Sequence, residues 1–257
     1  MKSTRFEIVG RRLAFLLLTM TLAASAAMAQ AGGAPRSADG ASQVTEFEVN
    51  GLKVLVKRRP NAETVAAGLF VRGGVRNSSD KTAGLENFMI NASIEAGAKF
   101  KRDVVRRELA RTGSTVGGTA GKDFSVFSLG VTRPNFDRMW ELFADVVINP
   151  VFAPADVERV REQIMTGLKE SETNPDNYLD VLENRVVYTG HPYSFETDGS
   201  LETVSKFTLA QLRGHHKKVM QTSQLLLVFV GDLDPQAIRE KVASTFGKLP
   251  RGEYEDT

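Results

Sequence analysis

The pair Asn50-Gly51 sits midway in TEFEVNGLKVLVKRRP, with apolar and polar residues alternating on both sides. Period-two alternation about Asn-Gly specifies a tight β-hairpin, because both turn positions must accept positive φ. The folded part of the chain therefore starts as antiparallel sheet. TVAAGLFVRGG reads as another strand, and helical periodicity begins near Gly84. It returns in FKRDVVRRELARTG, where Gly113 stands at the place of a C-terminal cap. DFSVFSLGV (123–131) alternates again, as a strand would. NFDRMWELFADVVIN and ADVERVREQIMTGLKE are amphipathic helices, the second with Val157, Val160, Ile164 and Leu168 on one stripe. NPDNYLDVLENRVVY and TLAQLRGHHKKVM read as helices and SQLLLVFVGD as a buried strand. PQAIREKVASTFGKLP reads as a closing helix with Pro235 near its start. Strands, a helical block, more strands, a longer helical block and a final strand and helix make one α+β domain.

The first residues belong to a different layer of information. MKSTRFEIVGRR is basic, LAFLLLTMTLAASAA is a short apolar run, and AMAQ closes it with small residues. That pattern predicts a secretory signal peptide over 1–29, and the run is short for a membrane span. The Gly-, Ala- and Ser-rich stretch that follows reads as a flexible tether over 30–45. The whole chain carries a net charge of +2; losing Lys2, Arg5, Arg11, Arg12 and Glu7 with the leader leaves −1. The mature protein thus gives no electrostatic argument for nucleic acid, and no membrane span is expected after cleavage. There is no cysteine in the 257 residues. Disulfides, thiolate metal sites and a cysteine nucleophile are excluded, and the core alone must hold the fold. The expected location is exported, in a bacterial periplasm or secreted.

GLENFMINASIEAG (84–97) carries Asn87 and Asn91 four apart, one turn above the other on the same helix face. This is the spacing at which two histidines would grip a metal ion. Leu85, Phe88, Met89, Ala92 and Ala96 form one apolar stripe, and Ile90 and Ile94 share a second with the two asparagines. A helix apolar nearly all round is a buried one. Its amides must then bond each other or the sheet backbone. His191 in HPY reads as structural. His215 and His216 are adjacent and diverge on a helix, with no acidic partner evident. The basic run 99–111 reads as a solvated helix face. GGTAG (117–121) lacks the Gly-Lys-Ser/Thr of a phosphate loop, and a glycine-rich edge suits close approach of another backbone.

GGVRNSSDKTAGLENFMINASIEAG resembles the metal-site segment of the insulinase/pitrilysin (inverzincin) zinc peptidases, where a helix carries H-x-x-E-H. The resemblance extends through GSTVGGTAGKDFSVFSLGV, INPVF, ERVREQIMTGLKESETNPD, HPYSFETDGSLETVSKFTLAQLRGHHKKVM and LLLVFVGDLD, in the family's order. It covers the chain from about Glu46 onward and implies the LuxS/mitochondrial-processing-peptidase-like metallohydrolase fold, a mostly antiparallel sheet against a helical layer. The peptidase-like N-terminal domain would occupy 46–250, with 251–257 beginning a linker to a second domain.

Carried over residue by residue, the resemblance puts the first histidine on Asn87, the glutamate on Ile90 and the second histidine on Asn91. The distal glutamate, counted back from Asn174-Pro175, falls on Gly167, and an edge-strand asparagine on Gly117. Zinc needs imidazole, thiolate or carboxylate donors, and none of the four positions supplies one. Glu86 lies about 100° round the helix from Asn87 and should point elsewhere. Glu170 is nearly a turn from Gly167. The resemblance therefore implies a homologue without its own catalysis: no catalytic residue, no metal and no cofactor. Peptide would be held along Gly117, Gly118 and Thr119, and zinc would sit in a catalytic partner that keeps H-x-x-E-H. Such a chain would be either a truncated sequence or a half-unit that assembles with others. The alternatives are an active zinc endopeptidase with other ligands, which would carry zinc itself, and a scaffold protein that binds no peptide.

Overall fold

The computed structural model describes residues 44–254. The expected signal peptide, the tether up to residue 43 and the last residues of the expected linker lie outside the described residues. Strand β1 (Val44–Val49) takes up the last two positions assigned to the tether. It turns through Asn50 (φ 50°) and Gly51 (φ 82°) into β2 (Leu52–Arg58), the two-residue hairpin that the Asn-Gly pair predicts.

Four further strands complete one sheet: β3 (Thr64–Arg72), β4 (Thr115–Thr119), β5 (Phe124–Thr132) and β6 (Leu225–Gly231). Their order is β1-β2-β6-β3-β5-β4. Every neighbouring pair is antiparallel except β2 and β6. The last strand in sequence thus enters the middle of the sheet, with Leu227 opposite both Val54 and Leu69. Period two then sends Val54, Leu69, Phe127, Leu227 and Phe229 to one face, where all are fully buried. The other face of β6 is only half-buried, so this strand is less enclosed than its apolar run suggests.

Among the described residues, eight α-helices complete the domain. They are α1 (Leu85–Ser93), α2 (Arg102–Thr112), α3 (Phe136–Ile148), α4 (Pro154–Thr173), α5 (Pro175–Val187), α6 (Leu201–Lys206), α7 (Leu209–Val219) and α8 (Pro235–Ser244). Gly113, at φ 63°, caps α2, with its N–H donating to the Leu109 carbonyl. Helix α6 has no long apolar period. It forms because Ser200 and Thr203 cap its first turn reciprocally. No helix among the described residues is long and apolar enough to cross a membrane.

The core centres on Trp140 of α3, whose ring lies 5.2–6.2 Å from those of Phe136, Phe143, Phe229 and Phe246. Its Nε1 is buried and has no hydrogen-bond partner among the described residues. Trp140→Ala is therefore expected to cost about 3–5 kcal/mol through lost burial and a cavity. Trp140→Phe, which removes an unsatisfied donor, should cost under about 1.5 kcal/mol. Urea unfolding followed by circular dichroism checks both, since this is the only tryptophan.

Candidate functional site

Helix α1 runs between the sheet and α4 and α7, and eight of its nine residues are buried. Enclosure on this scale is what an all-round apolar helix requires. Asn87 is buried and Asn91 half-buried, one turn apart and facing α4. They line a cleft of about 320 Å³ with Ile94, Glu95, Val160, Ile164, Gly167 and Asp198. The fold thus brings Asn87, Asn91 and the distant Gly167 to one place.

The polar groups of the cleft are already engaged. Asn91 Nδ2 donates to Asn87 Oδ1 at 3.0 Å and to the Asn87 carbonyl at 2.9 Å. Asn87 Nδ2 donates in turn to Asp198 Oδ1 at 2.9 Å. The two amides do bond each other; the second partner is a carboxylate rather than sheet backbone. Burial by the cleft walls pushes the Asp198 carboxyl above the usual aspartate range. Burial also pushes Glu95 up, but hydrogen bonds and charge from Arg159, Arg102 and Arg106 outweigh it and hold its carboxyl below the usual range. Glu108 takes up Arg111 and Arg138 in the same way. Most of the basic run on α2 is thus committed within the fold.

Ile90 is fully buried and leans on β4: a Cβ at Gly118 would overlap its Cγ2. Gly118 therefore lets α1 approach the sheet edge. Gly117 has room, its nearest neighbour being Ser128 Oγ at 3.5 Å from a built Cβ. Thr119 is exposed at the end of the strand. All three sit on β4, which pairs with β5 alone and closes the sheet order, so its outer edge is open among the described residues.

Two glycines seat Asp198 beside α1. Gly84 (φ 88°) precedes the helix and Gly199 (φ 80°) follows Asp198. A Cβ on Gly84 would lie 2.6 Å from the Asp198 carbonyl oxygen, and one on Gly199 2.5 Å from that of Ala83. The two backbones touch, which only glycine at both positions allows.

Glu86 points away from the cleft, as the helix period requires. It is buried, accepts a hydrogen bond from Ser125 on β5, and its Oε2 lies 3.2 Å from His215 Nε2 on α7. His215 thus has the acidic partner that sequence reading missed; 129 positions separate the two, and no local spacing signals the pairing. The serine contacts the carboxylate rather than the imidazole, so this is not a nucleophile–base arrangement. His216 diverges, donating from Nε2 to the Val147 carbonyl at 2.8 Å. His191 caps a 3-10 turn, accepting from the Tyr193 N–H at 3.1 Å.

Burial, partly opposed by the Val147 carbonyl, lowers the His216 pKa below 6.5. The unfolded chain then binds this proton more readily than the folded one, so stability rises with pH between the folded and unfolded values. Acidification below 6.5 is expected to remove up to about 1.4 kcal/mol per pH unit through this group. His216→Gln should flatten that part of the melting-temperature profile.

The donors around the cleft do not fit zinc. Its amides are tied to one another, Glu95 is ion-paired, and Asp198 is a lone carboxylate already accepting from Asn87. No group of three or more His, Cys, Asp or Glu is placed to hold a metal among the described residues.

The fold is a six-stranded sheet with a helical layer, and its helix–helix cleft holds Asn87 and Asn91 at the spacing of a metal-site helix. Residues 53–196 match the family model Insulinase (Peptidase family M16), and 206–257 match Peptidase M16 inactive domain. The chain belongs to the insulinase family, M16. An uncharacterized zinc protease of Rickettsia felis is 23% identical over 204 residues, 79% of this chain and 50% of the relative. The crystal structure of a peptidase M16 inactive domain from Pseudomonas fluorescens has a TM-score of 0.75 at 24% identity, covering 83% of this chain and 52% of that one. The periplasmic protease PqqL of Escherichia coli gives 0.74 at 17% identity, over 84% and 25% respectively. The chain spans about half the length of the curated relatives it matches.

Proposed function

We propose that this chain is a catalytically silent, peptide-binding half of an exported zinc-metallopeptidase assembly, paired with an insulinase-family subunit that keeps H-x-x-E-H. One observation carries the reading. At the cleft where Asn87, Asn91 and Gly167 meet, two amides hydrogen-bond each other and Ile90 packs against Gly118, leaving neither a metal donor set nor a base. The role of such a half is to close a chamber and present peptide to the partner's zinc. Export is supported by the basic, apolar and small-residue order of residues 1–29.

The open edge of β4 supplies the peptide-binding mode. An extended peptide would add as a further strand, taking its affinity from main-chain hydrogen bonds. Gly117→Val places a branched side chain where there is space in the fold, so it tests the edge without disturbing the core. Gly118 is unsuitable, because any side chain there meets Ile90. Saturable binding of a fluorescent peptide is expected, weakened about tenfold, or ~1.4 kcal/mol, by Gly117→Val. Elemental analysis of the purified mature chain should find no stoichiometric zinc, and the chain alone should leave peptides intact. Stoichiometric zinc whose chelation abolishes hydrolysis would sink the proposal. Absence of peptide binding would favour a scaffold.

A further inference from the structure

The cleft between α1 and α4 holds more than two paired amides. Ile94, Val160, Ile164 and Leu168 give it apolar walls, and Glu95 and Asp198 are its charged residues, with no lysine or arginine in its lining among the described residues. Glu95 is neutralised by Arg102, Arg106 and Arg159. Asp198 has no such cation. Its Oδ1 accepts from Asn87, and its other oxygen meets no donor among the described residues. Asn91 commits its Nδ2 to Asn87, so its Oδ1 is likewise without a donor among the described residues.

Apolar walls that end on two free acceptors select the occupant. An anionic side chain would meet the Asp198 carboxylate with nothing to offset the repulsion. A purely aliphatic one would fill the walls and leave both acceptors without partners, which burial penalises. Lysine and arginine match both parts, with an apolar stem for the walls and a cationic head that only donates. The cleft also lies beside the edge that would hold peptide: Ile90 seats on Gly118 of β4, and the next residue, Asn91, lines the cleft. Resting on the peptide-binding reading above, we propose that the cleft is a specificity pocket for one lysine or arginine side chain of the bound peptide, with Asp198 and Asn91 receiving its cationic head.

The test uses the mature chain and fluorescent alanine-rich peptides that differ at one position, carrying lysine, arginine, norleucine or glutamate there. Anisotropy titrations at low ionic strength should find the lysine and arginine peptides bound about tenfold more tightly than norleucine, an apolar stem without the charge. Glutamate should bind most weakly. The preference should shrink as salt is raised, because Asp198 is open to solvent on one side. D198N, which still offers Asn87 an acceptor, should bring the lysine and arginine peptides down to the norleucine level. Gly167→Lys is the second variant: a built Cβ there meets nothing within 4 Å, so its own ammonium can fill the cleft and abolish the preference without crowding the fold. Gly117→Val, by contrast, should weaken all four peptides alike. Peptides that bind with no preference for lysine or arginine, or with one that survives both D198N and Gly167→Lys, overturn the pocket and leave peptide binding standing. A chain that binds none of the four peptides sinks the peptide-binding reading and the pocket with it.

Discussion

Zinc is expected to bind at about one equivalent per chain once N87H, N91H and G167E are combined, and none is expected in the parent. Asn87 and Asn91 already stand one turn apart on one face of α1, and Gly167 faces them from α4 across the same cleft. A Cβ at Gly167 meets nothing within 4 Å, so a glutamate can be built there without displacing a neighbour. Asp198, which accepts from Asn87 at 2.9 Å, is placed to accept from the outer N–H of a histidine at that position and so fix its ring. Adding I90E supplies a general base, and only the fourfold variant should hydrolyse peptide. Elemental analysis and a peptide assay separate the two stages. If the threefold variant folds and takes up no zinc, the cleft is not the family's metal position.

Gly84→Ala and Gly199→Ala are each expected to cost about 3 kcal/mol or more. An alanine at φ near +80° is strained by about 1–3 kcal/mol, and backbone overlap adds to that. Gly167→Ala should have the opposite sign. It lies within α4 with open space about a built Cβ, so the change should stabilise by about 0.5–1 kcal/mol. Denaturant melts of the three variants make the comparison. A Gly84→Ala protein within 1 kcal/mol of the parent would mean the contact with Gly199 is not as tight as described.

How much was legible in the sequence depended on the reach of each interaction. The Asn50-Gly51 hairpin, the Gly113 cap and the apolar stripe of α4 are set by residues a few positions apart, and local period alone reveals them. The burial of α1 was equally readable. Helix α6 was missed despite its Ser200/Thr203 signal, because six residues hold too little periodicity to stand out. The bonds from Asn87 to Asp198 and from Glu86 to His215 span 111 and 129 positions. Nothing in local spacing encodes them; only the sheet order, with β6 returned to its centre, brings those segments together.

The contact between Ile90 and Gly118 also sets the order in which the proposed zinc site could be built, one substitution at a time. A carboxyl at position 90, with neither metal nor water to meet it, would be buried against the backbone of β4. An unpaired buried carboxylate costs several kcal/mol, more than a domain of ordinary stability can readily spare. The histidines and the distal glutamate can each be introduced into a cleft that already holds polar groups, whereas the base is stable only after they are in place. On the proposed metal-free reading, the isoleucine thus works as a one-way gate: the folded state itself selects against a carboxyl at this position until a metal site is in place.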